Sequence, residues 1–151
     1  TSKVNATIAN QLALYLTMYS PLQMAADFPE HYEQFPDAFQ FIKDVAVDWQ
    51  KSKYLLAEPG DYIVVARKAK KSGQWFAGGV TDENSRTLDV PMNFLDPGKT
   101  YVAKIYADAP NADYQKNPQA YVITEQEVTS ESVIPVFMAR GGGFAIEFRE
   151  K

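Results

Sequence analysis

No glycine precedes Gly60, and all eight fall between Gly60 and Gly143. Glycine supplies the positive-φ turns and close backbone approaches that short antiparallel strands need. A chain divided this way therefore changes architecture where glycine begins. Charge divides near the same place. Residues 1–50 carry two basic side chains (Lys3, Lys43) against six acidic ones, whereas residues 51–151 carry thirteen of each sign. The turn-forming run Glu58-Pro59-Gly60-Asp61 marks the change, and we expect an opening segment 1–55 followed by a β-domain 56–151.

The opening segment reads as helix, strand, helix. Ile8, Leu12, Tyr15, Leu16 and Tyr19 share one helical face over Asn5 to Tyr19, and Ser20-Pro21 ends the helix. Leu22 to Ala26 is short and apolar, as a buried strand is, and Phe28-Pro29 closes it. A second helix starts at Pro36-Asp37, with Phe39, Ile42, Val45 and Ala46 on one face, and is expected to end near Trp49. A lone buried strand needs neighbours for its backbone N–H and C=O groups. The segment is thus expected to be the tail of a larger helix–strand architecture, with an uncovered apolar surface over residues 4–26. A chain opening at Thr1 agrees with a processed or partial polypeptide.

The remainder reads as strands: Asp61–Lys68, Gln74–Thr81, Arg86–Met92, Thr100–Ala107, Gln119–Thr129, Ser132–Ala139 and Phe144–Arg149. Turn clusters separate them, and such spacing predicts an antiparallel sandwich or Greek-key barrel.

A net charge of −4 lacks the basic surface that nucleic acid requires, and no apolar run reaches the ~20 residues of a membrane span. Without cysteine there is no thiol chemistry. The single histidine, His31, cannot build a structural zinc site alone and reads as a surface or boundary residue. Glu30, Glu33 and Asp37 read as a solvated helix start, while Asp27 directly follows the buried strand, where barrel enzymes place site residues. Asp108 to Asp113 offers oxygens to calcium but lacks EF-hand spacing, so a polar turn is expected. Gly141-Gly142-Gly143 precedes a strand and reads as a tight turn or bulge. Asn5-Ala6-Thr7 matches a glycosylation sequon inside the first helix. Among the aromatics, Trp75 is the candidate for stacking on a sugar, with Tyr114 and Tyr121 as further candidates.

Several longer words carry a resemblance. Asn10-Gln11-Leu12-Ala13-Leu14-Tyr15, Tyr19-Ser20-Pro21-Leu22-Gln23-Met24-Ala25-Ala26-Asp27 and Pro29-Glu30-His31-Tyr32 open it. Pro36-Asp37-Ala38-Phe39-Gln40-Phe41-Ile42 and Trp75-Phe76-Ala77-Gly78-Gly79-Val80-Thr81-Asp82-Glu83-Asn84 continue it, and Gly141-Gly142-Gly143-Phe144-Ala145-Ile146 closes it. Together they resemble the closing part of glycoside hydrolase family 97.

The resemblance implies a parent enzyme with an N-terminal β-supersandwich, a catalytic (β/α)₈ barrel and a C-terminal antiparallel β-domain. This chain would then be mainly β, its sandwich preceded by the last helix–strand–helix elements of the barrel. Hydrolysis of α-linked glucosides or galactosides, calcium as cofactor and a periplasmic location in a Gram-negative bacterium follow as expectations. The catalytic carboxylates and calcium ligands would lie upstream, so no catalytic or metal residue is assigned here. Gln23, Met24 and Asp27 fall at the eighth barrel strand and are candidates for the substrate-pocket rim. The expected partners are the upstream barrel, the N-terminal domain and an oligosaccharide substrate. A carbohydrate-binding or oligomer-contact module is the alternative.

Overall fold

The computed structural model describes residues 6–17, 35–44, 49–58 and 60–151. Among the described residues two helices, α1 (Ile8–Thr17) and α2 (Pro36–Asp44), precede eight strands. These are β1 (Trp49–Glu58), β2 (Tyr62–Ala69), β3 (Trp75–Thr81), β4 (Arg86–Pro91), β5 (Tyr101–Asp108), β6 (Tyr121–Val128), β7 (Val133–Met138) and β8 (Gly143–Glu150). One sheet runs β1-β2-β3-β8-β5-β6 and a second pairs β4 with β7, every pairing antiparallel.

Strand periodicity sorts the side chains of the large sheet into two cores. One face, with Val64, Trp75, Ile105, Phe144 and Ile146, packs against Val90, Ile134 and Val136 of the small sheet. The opposite face, with Val65, Phe76, Tyr106 and Ala145, packs against Ile8, Leu12, Tyr15 and Leu16 of α1 and Phe41 of α2. The three layers are helices, large sheet and small sheet. Central strands β3 and β8 are covered on both sides, and their residues are buried on both faces of the sheet.

This packing corrects the expectation of an uncovered helix. Ile8, Ala9, Leu12, Ala13, Tyr15 and Leu16 are each at most 2% exposed. The sheet itself covers them. Close approach is possible because Gly78 has no side chain: a Cβ there would sit 2.8 Å from Leu16 Cδ1. The strand expected over Leu22–Ala26 lies outside the described residues.

α1 begins at Ile8, later than the Asn5 its periodicity suggests. Thr7, the last residue of the sequon pattern, is fully buried and caps α1, its hydroxyl oxygen accepting the Asn10 N–H at 3.0 Å. At the other end, Arg67 Nε donates to the Leu16 carbonyl, satisfying a terminal acceptor. The second helix is described over Pro36–Asp44, and Trp49, expected at its end, instead begins β1.

β1 thus places residues 49–55 in the sheet, ahead of the boundary read at 55/56. It is an exposed edge strand with register shifts between Trp49 and Lys51 and between Tyr54 and Leu56. Those irregularities break the two-residue alternation by which a strand is recognised in sequence.

Glycine positions separate conformational from steric demands. Gly98 has φ +79° and open space around it, whereas a Cβ on Gly142 would lie 1.9 Å from Asp108 Oδ2 and 2.7 Å from the Ala139 carbonyl. Gly98→Ala should cost about 1–2 kcal/mol for its left-handed backbone. Gly142→Ala should cost more, about 3 kcal/mol or above, because two fixed polar groups must move. Urea unfolding midpoints of the two variants check the order.

Candidate functional site

Among the described residues no three His, Cys, Asp or Glu side chains gather as a metal-binding group. The densest polar construction is a junction around the Gly141–Gly143 turn. Asp108 ends β5, is 2% exposed, and its Oδ2 accepts the Ala139 N–H at 2.8 Å and the Gly143 N–H at 2.9 Å. The Thr7 hydroxyl hydrogen-bonds the same carboxylate. Asn10 Nδ2 donates to the Gly142 carbonyl at 2.8 Å, and the Thr7 N–H donates to the Gly141 carbonyl at 3.2 Å. The Thr81 N–H donates to the Gly142 carbonyl and the Gly141 N–H to the Asp82 carbonyl. The start of α1, the end of β5, the end of β3 and the entry to β8 are therefore tied at one point.

Burial pushes the Asp108 carboxyl above its ordinary value, although Thr7 and the two backbone N–H donors oppose that shift. Glu147, on the helix-facing side of β8 and 6% exposed, is also pushed up, first by burial and then by the charge of Asp44, with Lys104 and Arg149 opposing. Asp113 behaves oppositely. The Arg140 guanidinium at 2.7 Å and the N–H groups of Lys116 and Gln115 hold it well below the usual carboxylate range. Asp108 Oδ2 and both Asp113 oxygens are thus engaged by backbone donors and an arginine. The segment is a polar turn, as expected.

Trp75, a candidate for stacking on a sugar, is a core residue, as most of the aromatics of such a sandwich are expected to be. It is 3% exposed, tilted against Phe94 with ring centroids 5.2 Å apart, and the Lys68 and Lys53 ammonium groups lie 5.8 and 6.0 Å from its ring. No ring face is left for a pyranose. Tyr121 is half-buried and meets Phe35 edge-on, and Tyr114 lies under Arg140 at 5.2 Å. Asp37 is exposed in the first turn of α2, where a carboxylate suits the helix dipole. Gln23, Met24, Asp27, Glu30, His31 and Glu33 lie outside the described residues.

Of residues 4–26, for which an uncovered apolar surface was expected, 4–5 and 18–26 lie outside the described residues; an exposed apolar groove does occur on the sheet. A groove of about 590 Å³ is lined by Tyr54, Ala57, Tyr62, Ile63 and Val80, with Asp61 and Asp82 beside them. Tyr54, at 70% exposure, stands open to solvent. Sequence reading missed this groove because its β1 wall was not recognised as a strand.

Residues 48–149 match the family model described as glycosyl-hydrolase 97 C-terminal, oligomerisation. This chain belongs to that family. It is 34% identical over 143 residues to a retaining α-galactosidase of Bacteroides thetaiotaomicron, covering 95% of this chain and 21% of that protein. A probable retaining α-galactosidase of Streptomyces bingchenggensis is 29% identical, with 93% of this chain and 20% of the relative covered. Among solved structures, a glycoside hydrolase family 97 enzyme from Pseudoalteromonas sp. strain K8 in complex with acarbose superposes with a TM-score of 0.89. It is 41% identical and covers 97% of this chain but 23% of its own. The chain therefore spans about a fifth of the length of these relatives. A β-arabinopyranosidase at 15% identity and a TM-score of 0.62 shares the fold.

The polar junction is open to direct test. Asp108→Ala leaves two buried N–H groups without their acceptor and should destabilise the chain by about 2–4 kcal/mol in chemical unfolding. The raised carboxyls set a pH dependence. An acid whose folded pKa exceeds its unfolded one is bound to its proton more readily when folded. Stability should therefore rise as pH falls from neutral towards about 4, the unfolded value. Below that, Asp82 and Asp113, which are held low, lose their charge and stability should decline. Glu147→Gln should flatten the rising limb in melting scans.

Proposed function

We propose that this chain is the C-terminal portion of a family 97 α-glycosidase, a β-domain that buttresses a catalytic barrel and carries subunit contacts, and that it is inactive alone. The observation that carries this reading is the alignment of nearly the whole chain with about a fifth of each full-length relative. Chemistry agrees: glycoside hydrolysis uses a pair of carboxyl groups flanking the scissile bond. The buried carboxyls here serve other ends, Asp108 holding backbone N–H groups and Glu147 lying beneath the helices.

On this reading α1 and α2 close the barrel while resting on the β-domain, so that one helical layer serves both. Leu22–Ala26 is then the eighth barrel strand, with Gln23, Met24 and Asp27 at the pocket rim. The apolar groove beside Tyr54 supports a contact role, since contiguous exposed apolar surface marks interaction sites. The substrates we propose are α-linked galactosides or glucosides, because the curated relatives are described as α-galactosidases and the solved one holds acarbose. Calcium finds no fitting ligand set among the described residues, where carboxylates do not gather in threes. Any calcium ligands belong to the upstream part of the parent, for which a periplasmic location is proposed from the resemblance.

The isolated chain should release no p-nitrophenol from p-nitrophenyl α-galactoside or α-glucoside above background, while the longer parent enzyme turns over one of them. Removing residues 49–151 from the parent should lower its melting temperature and alter its mass by light scattering. Turnover by the isolated chain would overturn the proposal.

A further inference from the structure

The large sheet has two edges, and they differ in how their charges are matched. On β6, Glu125 and Glu127 are bridged to Arg149 and Lys151. On β1, Lys51 and Lys53 stand in the first half, Glu58 at the end and Asp61 in the turn beyond, all four exposed. None of the ion pairs among the described residues uses them. Between the basic half and the acidic end lie Tyr54 and the apolar groove it walls with Ala57, Ile63 and Val80. An edge strand also turns a row of N–H and C=O groups towards solvent.

Pairing with β2 decides which of these side chains share a face. Tyr54 and Ala57 lie opposite Val65 and Ile63, which belong to the helix-side core. Lys53 and Glu58 lie opposite Ala66 and Tyr62, which belong to the core beneath the small sheet. Opposed residues of antiparallel strands share a face, so Tyr54 and Ala57 occupy one side of the sheet and Lys53 and Glu58 the other. Regular alternation would separate residues three or five apart, and the register shift between Tyr54 and Leu56 is what unites them.

β1 is therefore complementary to its own reverse. An antiparallel copy that sets Lys53 opposite the partner's Glu58 also sets Tyr54 opposite the partner's Ala57, and a twofold axis repeats both contacts. Each tyrosine then covers the apolar wall of the other copy's groove. Edge lysines ordinarily oppose strand pairing. Here they disfavour registers that bring lysine to lysine and admit one that brings lysine to carboxylate. We propose that β1 is a homodimer interface, pairing antiparallel with β1 of a second copy about a twofold axis between Leu55 and Leu56. The inference deepens the subunit-contact role proposed above and rests on it.

The test is sedimentation velocity of the 151-residue chain from micromolar to near-millimolar concentration. A reversible dimer with a micromolar Kd is expected, and β1 amides should exchange more slowly as it forms. Tyr54→Ala should raise the Kd about tenfold or more, as loss of a central aromatic anchor does. Lys53→Glu and Glu58→Lys should each weaken self-association about three- to tenfold, because like charges then meet at both ends. An equimolar mixture of those two variants should regain the original affinity, since each altered residue then faces its opposite. All three residues are exposed, so melting temperatures of the monomers should not move. A dimer indifferent to all three substitutions, or a mixture that regains nothing, would overturn this interface and leave subunit contacts to another face. A chain monomeric throughout would overturn the interface and the contact role together. In the longer parent, Tyr54→Ala that lowers the melting temperature at unchanged mass would assign the groove to the parent's own barrel and overturn the proposal.

Discussion

The buried Asp108 carboxylate is the point on which the layers of this chain depend, because it holds a turn that every layer touches. Its Oδ2 fixes the N–H groups of Ala139 and Gly143, and the turn between them presents carbonyls to Thr7, Asn10 and Thr81. A side chain on Gly142 would collide with that oxygen, so the glycine and the aspartate require each other. Burying a carboxyl is costly, and the raised Asp108 pKa records that cost. What offsets it is the satisfaction of donors that would otherwise be buried without acceptors at the start of a helix and of a strand.

From this junction α1 runs across the large sheet and seals its second face. Leu16 descends over Gly78, and Tyr15 and Leu12 fill the space beside Phe76 and Tyr106. Phe41 of α2 extends the layer, with its ring edge-on to Phe76 and Tyr106. The helices thus supply burial that the small sheet cannot, since β4 and β7 cover one face only. This bears on the role of the chain in a longer enzyme. On the proposed reading, helices shared with a catalytic barrel would couple it to this β-domain through apolar packing, a stiffer joint than a linker.

Among the described residues no three carboxylates gather as a metal-binding group. The acids here are structural: Asp113 and Asp82 hold turns through backbone N–H groups and arginines, and Asp108 holds the junction.

Composition and spacing determined much of this protein. Seven of the eight described strands, α1 and the start of α2 were legible, because turn residues and strand periodicity are local properties. The family resemblance was legible too, carried by words such as Trp75 to Asn84. Tertiary structure alone decided the rest. β1 was hidden because bulges and an exposed edge erase alternation, and its partner β2 is what makes it a strand. Trp75 looked available for stacking because sequence does not reveal what lies over a ring, and Phe94 closes it. The covering of α1 by the sheet, and the pairing of Asp108 with glycines more than thirty residues away, depend on contacts that no local pattern encodes.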